Sequence, residues 1–379
     1  MNTVPAIQPS SAPVALSISF NQDATSFAVG LETGFSVYKT ERCQLQKHGD
    51  FSAGIGAVEM LGNTNYLALV GGGRQPKFSQ SEINIWDDEK QKVAITIPTF
   101  TPVLGVRLSR MHIVIALHNS VQVYKFQVRP SIMHTYETAD NPHGLCCLSD
   151  KYLAMPGITP GQVQLVELST GTISLVVAHS SPLKAMDISR DGKVLATASE
   201  HGTLIRIYNV NTCARLAELR RGVDPAAIFS LKISPTGQIL AVTSDKSTLH
   251  VFDIPHPGKP PRPASQGGGS HSPTEADPSK KWGLLSKIPL LPRVFSDGYS
   301  FASAHFEIGD EAKYGVPSNY SGNPGSGPPK GVIGWMDDQT LAVIGAGRDG
   351  RWEKFILVED GDGKRYFAKD GWKKYIGSA

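Results

Sequence analysis

A repeat of about 45 residues is the feature that most limits how this chain can fold. The two clearest copies are Leu183–Val210 and Phe229–Ile254, and each reads as strand, polar turn, strand, polar turn and strand. Gly192 and Gly237 fill the first turns and are 45 positions apart, and the serines that open the second turns have the same spacing. This period is that of one four-stranded blade of a β-propeller.

Weaker copies of this layout occur along the rest of the chain, with apolar residues that alternate or form short β-branched runs, as strands require. They are Leu16–Lys39, Tyr66–Asp87, Pro102–Phe126, Gly144–Leu168 and Gly334–Val358. The seven units predict an all-β fold, a seven-bladed β-propeller with WD40-like four-stranded blades, as a single domain over residues 1–379. A two-layer β-sandwich is the alternative, and the 45-residue spacing disfavours it.

Two polar segments interrupt the repeats. Residues 254–298 are predicted to form a long loop within blade 6, and residues 309–332 a flexible connector between blades 6 and 7. The first loop begins rich in Pro, Gly and Ser, but its later part, residues 280–295, carries apolar side chains between lysines. Those apolar side chains are Trp282, Leu284, Leu285, Ile288, Leu290 and Leu291.

Composition excludes several classes of function. A formal net charge of +3 is too small for a general nucleic-acid binder. The four cysteines have no metal-ligand spacing, which predicts no metal and a reducing compartment. No basic leader precedes an apolar run at the N-terminus, and no apolar run is long enough to cross a bilayer.

No motif predicts an enzyme or a cofactor. The segment Gly345–Gly350 matches GxGxxG, but the strand-like Trp352–Val358 follows it where a nucleotide site would need a helix, so we interpret it as a hairpin turn. An enzymatic propeller would need a metal or an acid/base cluster at its axis, and the sequence shows no sign of one.

Two adjacent arginines, Arg220 and Arg221, lie between the two clearest repeats, where the outer strand of one blade leads to the next blade. Neighbouring side chains on extended backbone point to opposite sides, so each guanidinium can serve a separate phosphate pocket. Around the first blade of the pair lie His179, Ser199, Thr203 and Arg206, and around the second lie Ser244, Lys246, Thr248 and His250.

Alignment of the two blades from their last strands places Arg206 and His250 at equivalent positions, as if one site were duplicated. A pair of solvated surface arginines, with serines and threonines that cap their own turns, is the alternative. In that case the chain would be a general WD-repeat scaffold for proteins.

The Leu-Arg-Arg-Gly motif at residues 219–222 resembles the signature of the PROPPINs, the phosphoinositide-binding propellers that include the WIPI proteins. Further matching stretches are Val70–Gly73, Pro76–Phe78, Ile85–Asp88, Pro102–Leu108, Asp140–Cys146, Ala178–His179 and Thr197–Arg206. Leu219 and the Asp-Asn-Pro stretch are similar to the shorter WIPI-3/WIPI-4-like and yeast swollen-vacuole-homologue branch.

The resemblance implies binding of phosphatidylinositol 3-phosphate and phosphatidylinositol 3,5-bisphosphate through two pockets. Site 1 would consist of His179, Ser199, Thr203, Arg206 and Arg220, and site 2 of Arg221, Ser244, Lys246, Thr248 and His250. It implies a non-enzymatic adaptor in autophagy and in vacuolar and endosomal traffic, cytoplasmic and peripheral on pre-autophagosomal, endosomal or vacuolar membranes. An autophagy lipid-transfer protein is a candidate partner, through blades 2 and 3, and we expect a monomer in solution.

The family also carries a loop in this blade that inserts into lipid, and Trp and Leu between lysines suit the membrane interface. Residues 280–295 are therefore predicted to insert, the alternative being a strand that packs on its own propeller. Ser247 departs from the glycine common in the family, which makes site 2 the less regular pocket. If His179 and His250 face phosphate, their charged forms should be favoured, and binding should strengthen as the pH falls toward 6.

Overall fold

The computed structural model describes residues 14–255, 298–309 and 328–377. Their strands form seven antiparallel sheets in chain order. Blades 1 to 4 consist of β1 Ala15–Phe20, β2 Ser26–Leu31, β3 Gly34–Lys39 and β4 Gln44–Asp50; β5 Ile55–Met60, β6 Tyr66–Gly71, β7 Glu82–Asp87 and β8 Lys92–Pro98; β9 Gly105–Leu108, β10 His112–Ala116, β11 Ser120–Lys125 and β12 Ile132–Glu137; β13 Cys147–Leu148, β14 Tyr152–Pro156, β15 Gln162–Glu167 and β16 Ile173–Val177.

The later blades follow the same order with one addition. They consist of β17 Leu183–Ile188, β18 Val194–Ser199, β19 Leu204–Asn209 and β20 Arg215–Arg220; β21 Ile228–Ile233, β22 Ile239–Ser244, β23 Thr248–Asp253 and β25 Ala302–His305; β26 Val332–Trp335, β27 Thr340–Gly345, β28 Arg351–Glu359 and β29 Arg365–Lys374. The short β24 Gly298–Tyr299 adds a fifth strand to blade 5, parallel to β20. The prediction of a seven-bladed, all-β propeller is confirmed.

The burial of each strand follows from its place in the blade. All six residues are buried in the second strands β2, β18 and β22, because neighbouring blades cover both faces. Outer strands such as β8 expose alternate residues. Seven hydrophobic clusters each join one pair of neighbouring blades, so the core lies between blades rather than at one centre.

The ring closes through backbone hydrogen bonds and side-chain contacts between blade 7 and blade 1. Ala15 and Gly347 exchange backbone hydrogen bonds of 3.0 and 2.9 Å. The indole of Trp352 donates to the Thr40 carbonyl at 2.9 Å, and the Tyr38 hydroxyl donates to the Tyr375 carbonyl at 3.1 Å. All four described strands of blade 7 come from one stretch of chain, and among the described residues no strand is exchanged between the first and last blades.

The hairpin interpretation of residues 345–350 is also confirmed, since β27 and β28 pair across them, from Gly345 opposite Arg351 to Thr340 opposite Ile356. The predicted loop of blade 6 falls between β23 and β25, and its residues 256–297 lie outside the described part of the chain. This includes all six side chains predicted to insert into lipid: Trp282, Leu284, Leu285, Ile288, Leu290 and Leu291. Within the described ranges no helix is long and apolar enough to cross a membrane.

Candidate phosphate-binding site between blades 5 and 6

The two predicted pockets lie on neighbouring blades in equivalent registers. Ser199 and Ser244 are the buried last residues of the second strands β18 and β22. Arg206 on β19 pairs with Thr197, and His250 on β23 pairs with Val242, the same step of each ladder. The expected equivalence of Arg206 and His250 therefore holds in the structure.

Site 1 is organised around Arg206. Its Nε donates to Oε2 of Glu218 at 2.7 Å, and its Nη1 donates to the Ala178 carbonyl at 2.6 Å. The next residue, His179, is buried, and its Nε2 lies 3.0 Å from Oγ1 of Thr197. The contacts bring His179 and Arg206, both predicted for site 1, close together. They also fix the Arg206 guanidinium before any ligand binds. Glu218 was missed by the sequence reasoning, although its place on β20 opposite Arg206 follows once the strands are paired.

Arg220 and Thr203 complete the rim of site 1. Arg220 ends β20, half-buried, opposite Leu204 of β19. The Thr203 carbonyl accepts the backbone N–H of Arg221 at 3.0 Å, which holds the chain where the two arginines diverge.

Site 2 is organised around Arg221, whose side chain is only 8% exposed. Its Nε donates to the Gly202 carbonyl at 2.7 Å and its Nη2 to the Asp224 carbonyl at 2.5 Å. Gly202 adopts φ +62°, and a Cβ there would lie 1.8 Å from the Ala226 carbonyl oxygen, so only glycine fits. Arg221 is thus part of the fold as well as a candidate ligand for phosphate.

The remaining site 2 residues lie on the turn and strand that follow Ser244. Lys246 is exposed, and its backbone N–H lies 3.4 Å from the Ser244 hydroxyl. Thr248 begins β23, two residues before His250. Ser247, the departure from the family pattern, adopts φ +58°, a left-handed conformation that glycine would accept more easily.

Both histidines are neutral at physiological pH. Burial lowers the pKa of His179 to about 4, with Arg206 adding to the effect. Burial also lowers the pKa of His250 to about 4, and the nearby Arg221 guanidinium acts in the same direction. The prediction that binding strengthens toward pH 6 requires charged rings, and these lowered pKa values, set by burial beside arginines, count against it in the ligand-free protein.

A second group of titratable residues lies at the propeller axis, in a cavity of about 260 Å³. Glu59, Arg107, Asp187 and Lys232 come from the first strands of four blades and line it. Arg107 Nη1 is 3.6 Å from Glu59 Oε2, and Lys232 Nζ is 2.6 Å from Asp187 Oδ1. Burial raises the pKa of Glu59 to about 7. The sequence reasoning missed these four residues. Arg107 and Lys232 each pair with the carboxylate of the preceding blade.

No metal centre is evident: among the described side chains, no three His, Cys, Asp or Glu residues are grouped so that they could hold an ion. Cys43, Cys146, Cys147 and Cys213 are all free thiols.

Comparison with known proteins adds the family context. A family model described as PROPPIN matches residues 15–269. The SVP1-like protein 2 of Emericella nidulans is 59% identical over 319 residues, covering 84% of this chain and 99% of that protein. The SVP1-like protein 2 of Saccharomyces cerevisiae is 31% identical, covering 92% and 87%.

Solved structures agree in fold. Hsv2 of Kluyveromyces marxianus superposes with a TM-score of 0.73 at 24% identity, covering 96% of this chain and 99% of that one. A complex of KlAtg21 with the coiled coil of AgAtg16 gives a TM-score of 0.64 at 16% identity, covering 95% and 99%.

Proposed function

We propose that this chain, which belongs to the PROPPIN family, is a phosphoinositide-binding adaptor. It would dock on membranes through site 1 and site 2. PROPPINs are non-enzymatic binding proteins, and binding alone is the function proposed here. The observation that carries the proposal is the duplicated arrangement of basic and hydroxyl side chains in equivalent registers of blades 5 and 6, with Arg220 and Arg221 between them.

The chemistry of the two pockets suits an inositol ring that carries a phosphomonoester. Guanidinium groups offer paired N–H donors and remain charged at every physiological pH. In site 1 the Arg206 guanidinium is held by Glu218 and a backbone carbonyl, and in site 2 Arg221 is held by two carbonyls. Such prearranged donors lose little freedom when a phosphate arrives, which favours binding. The proposed ligands are phosphatidylinositol 3-phosphate and phosphatidylinositol 3,5-bisphosphate.

Membrane attachment is proposed to use a third contact, the apolar side chains between residues 282 and 291. One weak anchor gives marginal, reversible attachment, while two or more signals together give stable attachment. Two head-group pockets with an inserted loop would meet that requirement.

In the cell, we place the protein in the cytoplasm and on pre-autophagosomal, endosomal or vacuolar membranes, as an adaptor in autophagy and membrane traffic. The structure of KlAtg21 with a coiled coil of AgAtg16 is an example of a protein partner for a propeller of this fold. For this chain we propose an autophagy lipid-transfer protein as partner, at blades 2 and 3. A WD-repeat scaffold without lipid binding is the competing function.

Liposome co-sedimentation tests the proposal. Wild type should sediment with vesicles that contain phosphatidylinositol 3-phosphate and not with vesicles of phosphatidylinositol, and Arg220→Thr/Arg221→Thr should remain soluble. The matched control is Lys125→Thr/Arg129→Thr, which removes the same charge from exposed positions of blade 3. If the wild type itself fails to sediment with these vesicles, the scaffold function is favoured. If the wild type and the first double variant sediment equally, Arg220 and Arg221 do not carry the binding.

A further inference from the structure

The chain that returns from the blade 6 insertion touches both candidate pockets. This return limb, Gly298–His305, pairs first with the outer strand of blade 5, with Gly298 opposite Leu219 and Tyr299 opposite Arg220. It then crosses to blade 6, where its β25 portion pairs antiparallel with β23, from Ala302 opposite Val251 to His305 opposite Thr248. The limb therefore begins beside a site 1 residue and ends beside a site 2 residue.

Several contacts fix the limb at the crossing point. The Phe301 N–H donates to the Val251 carbonyl at 2.9 Å. The Arg365 guanidinium lies 3.8 Å from the centre of the Phe301 ring, and its Nη1 donates to Asp253 Oδ1 at 2.9 Å. Blade 7 thus holds both β23, where the chain leaves blade 6, and Phe301, where it returns.

Ser300 lies at the crossing, and its Oγ is 3.2 Å from Nδ1 of His250. We propose that Ser300 is a positioning residue of site 2, which sets the tautomer of His250 so that Nε2–H is available to donate to a phosphate oxygen. This inference rests on the proposed function, because it assumes that His250 contacts a head group.

The chemistry of imidazole supports this role. A neutral ring carries one proton, on Nδ1 or on Nε2, and a partner that donates to one nitrogen places the ring proton on the other. If the Ser300 hydroxyl donates to Nδ1, the proton must be on Nε2, and Nε2 can donate to a phosphate. In the other tautomer Nε2 presents a lone pair, which a phosphate oxygen would repel.

Site 1 contains a similar pairing. There Nε2 of His179 lies 3.0 Å from Oγ1 of Thr197, which leaves Nδ1 as the nitrogen for a ligand. The hydroxyl comes from the neighbouring blade 5 strand in site 1, but in site 2 it comes from the return limb. Site 2 would therefore depend on the limb in a way that site 1 does not.

The test isolates site 2 in an Arg220→Thr background and measures binding of soluble inositol 1,3-bisphosphate by calorimetry. Ser300→Ala should weaken binding about fivefold, the effect of one lost hydrogen bond, and Ser300→Thr should restore it. Nitrogen-15 NMR of the ring should show the Nε2–H tautomer of His250 in the wild type and a mixture of tautomers in Ser300→Ala. Ser303→Ala is the matched control, since Ser303 lies opposite His250 in the β25 register and is exposed.

The outcomes separate the two claims. If the head group binds, and binding depends on Arg221, but Ser300→Ala and Ser303→Ala give the same affinity and the same tautomer, Ser300 has no positioning role. If the head group does not bind the wild-type chain at all, the proposed function itself fails.

Discussion

Arg221→Thr should destabilise the propeller even when no lipid is present. The wild-type side chain makes two charge-assisted hydrogen bonds, to the Gly202 and Asp224 carbonyls, from a position that is 8% exposed. Each such bond contributes about 1.5–3 kcal/mol. Threonine cannot reach either carbonyl, but it leaves space for water, so we expect the low end, about 3 kcal/mol in total.

This loss can be converted into a melting temperature. An unfolding entropy of about 2.1 cal/mol/K per residue gives about 0.8 kcal/mol/K for 379 residues, so 3 kcal/mol lowers Tm by about 4 °C. Arg220→Thr is the comparison variant. Because Arg220 is only half-buried, less of its interaction is withdrawn from water, and its Tm should fall by less.

Scanning calorimetry without lipid measures both shifts, and co-sedimentation well below both melting temperatures then measures binding by folded protein. If Arg221→Thr melts at the wild-type temperature, the two carbonyl contacts of Arg221 contribute no net stability, and the fold does not prearrange this guanidinium. If it melts about 4 °C lower, and adding it to Arg220→Thr causes no further loss of sedimentation with lipid, Arg221 is structural only.

Three further predictions follow from the contacts and pKa shifts. His179 and His250 stay neutral above their pKa of about 4, whereas a phosphomonoester loses charge near its second pKa of about 6. Sedimentation with lipid should therefore weaken about twofold per pocket when the pH falls from 7.5 to 6. Stronger binding at pH 6 would contradict this. The folded-state pKa values of both histidines lie below the unfolded value of about 6.5. Their contribution to the free energy of unfolding is therefore complete above pH 6.5 and is lost as the pH falls toward 4, by about 2 kcal/mol per histidine at pH 5. Unchanged urea midpoints at pH 7.5 and pH 5 would refute this. Trp352→Ala should lower the free energy of unfolding by about 3–5 kcal/mol, because it opens the contact between blades 7 and 1. Trp352→Phe should lower it by about 1 kcal/mol, because only the hydrogen bond to Thr40 is lost. Equal urea midpoints for the two variants would show that the indole fills no space where the ring closes.

Most of the fold could be predicted from the sequence because each blade repeats the same local pattern. The period, the turn glycines and the buried second strands are all local signals, so seven units and their order could be predicted. The two-residue strand β24 could not be predicted, since it pairs in parallel with β20 across a long insertion and no turn signal in the sequence marks it.

The candidate site was predictable in position but not in protonation. Arg206, Arg221 and His250 could be placed by aligning two repeats, whereas the neutral state of the histidines depends on burial and on arginines from other strands. The axial charges, such as Glu59 and Lys232, are isolated in apolar strands, and only an alignment of all the first strands would show that they occupy the same position.

The way the ring closes has a consequence for synthesis. The face of blade 1 that carries Phe27 and Tyr38 packs against blade 7, where Ile344, Trp352 and Tyr375 belong to the same hydrophobic cluster. As the chain leaves the ribosome, each blade can pack on the one made before it, but blade 1 must keep this aromatic face open until blade 7 has been made. A nascent chain would expose apolar surface throughout elongation, which is the condition under which molecular chaperones bind.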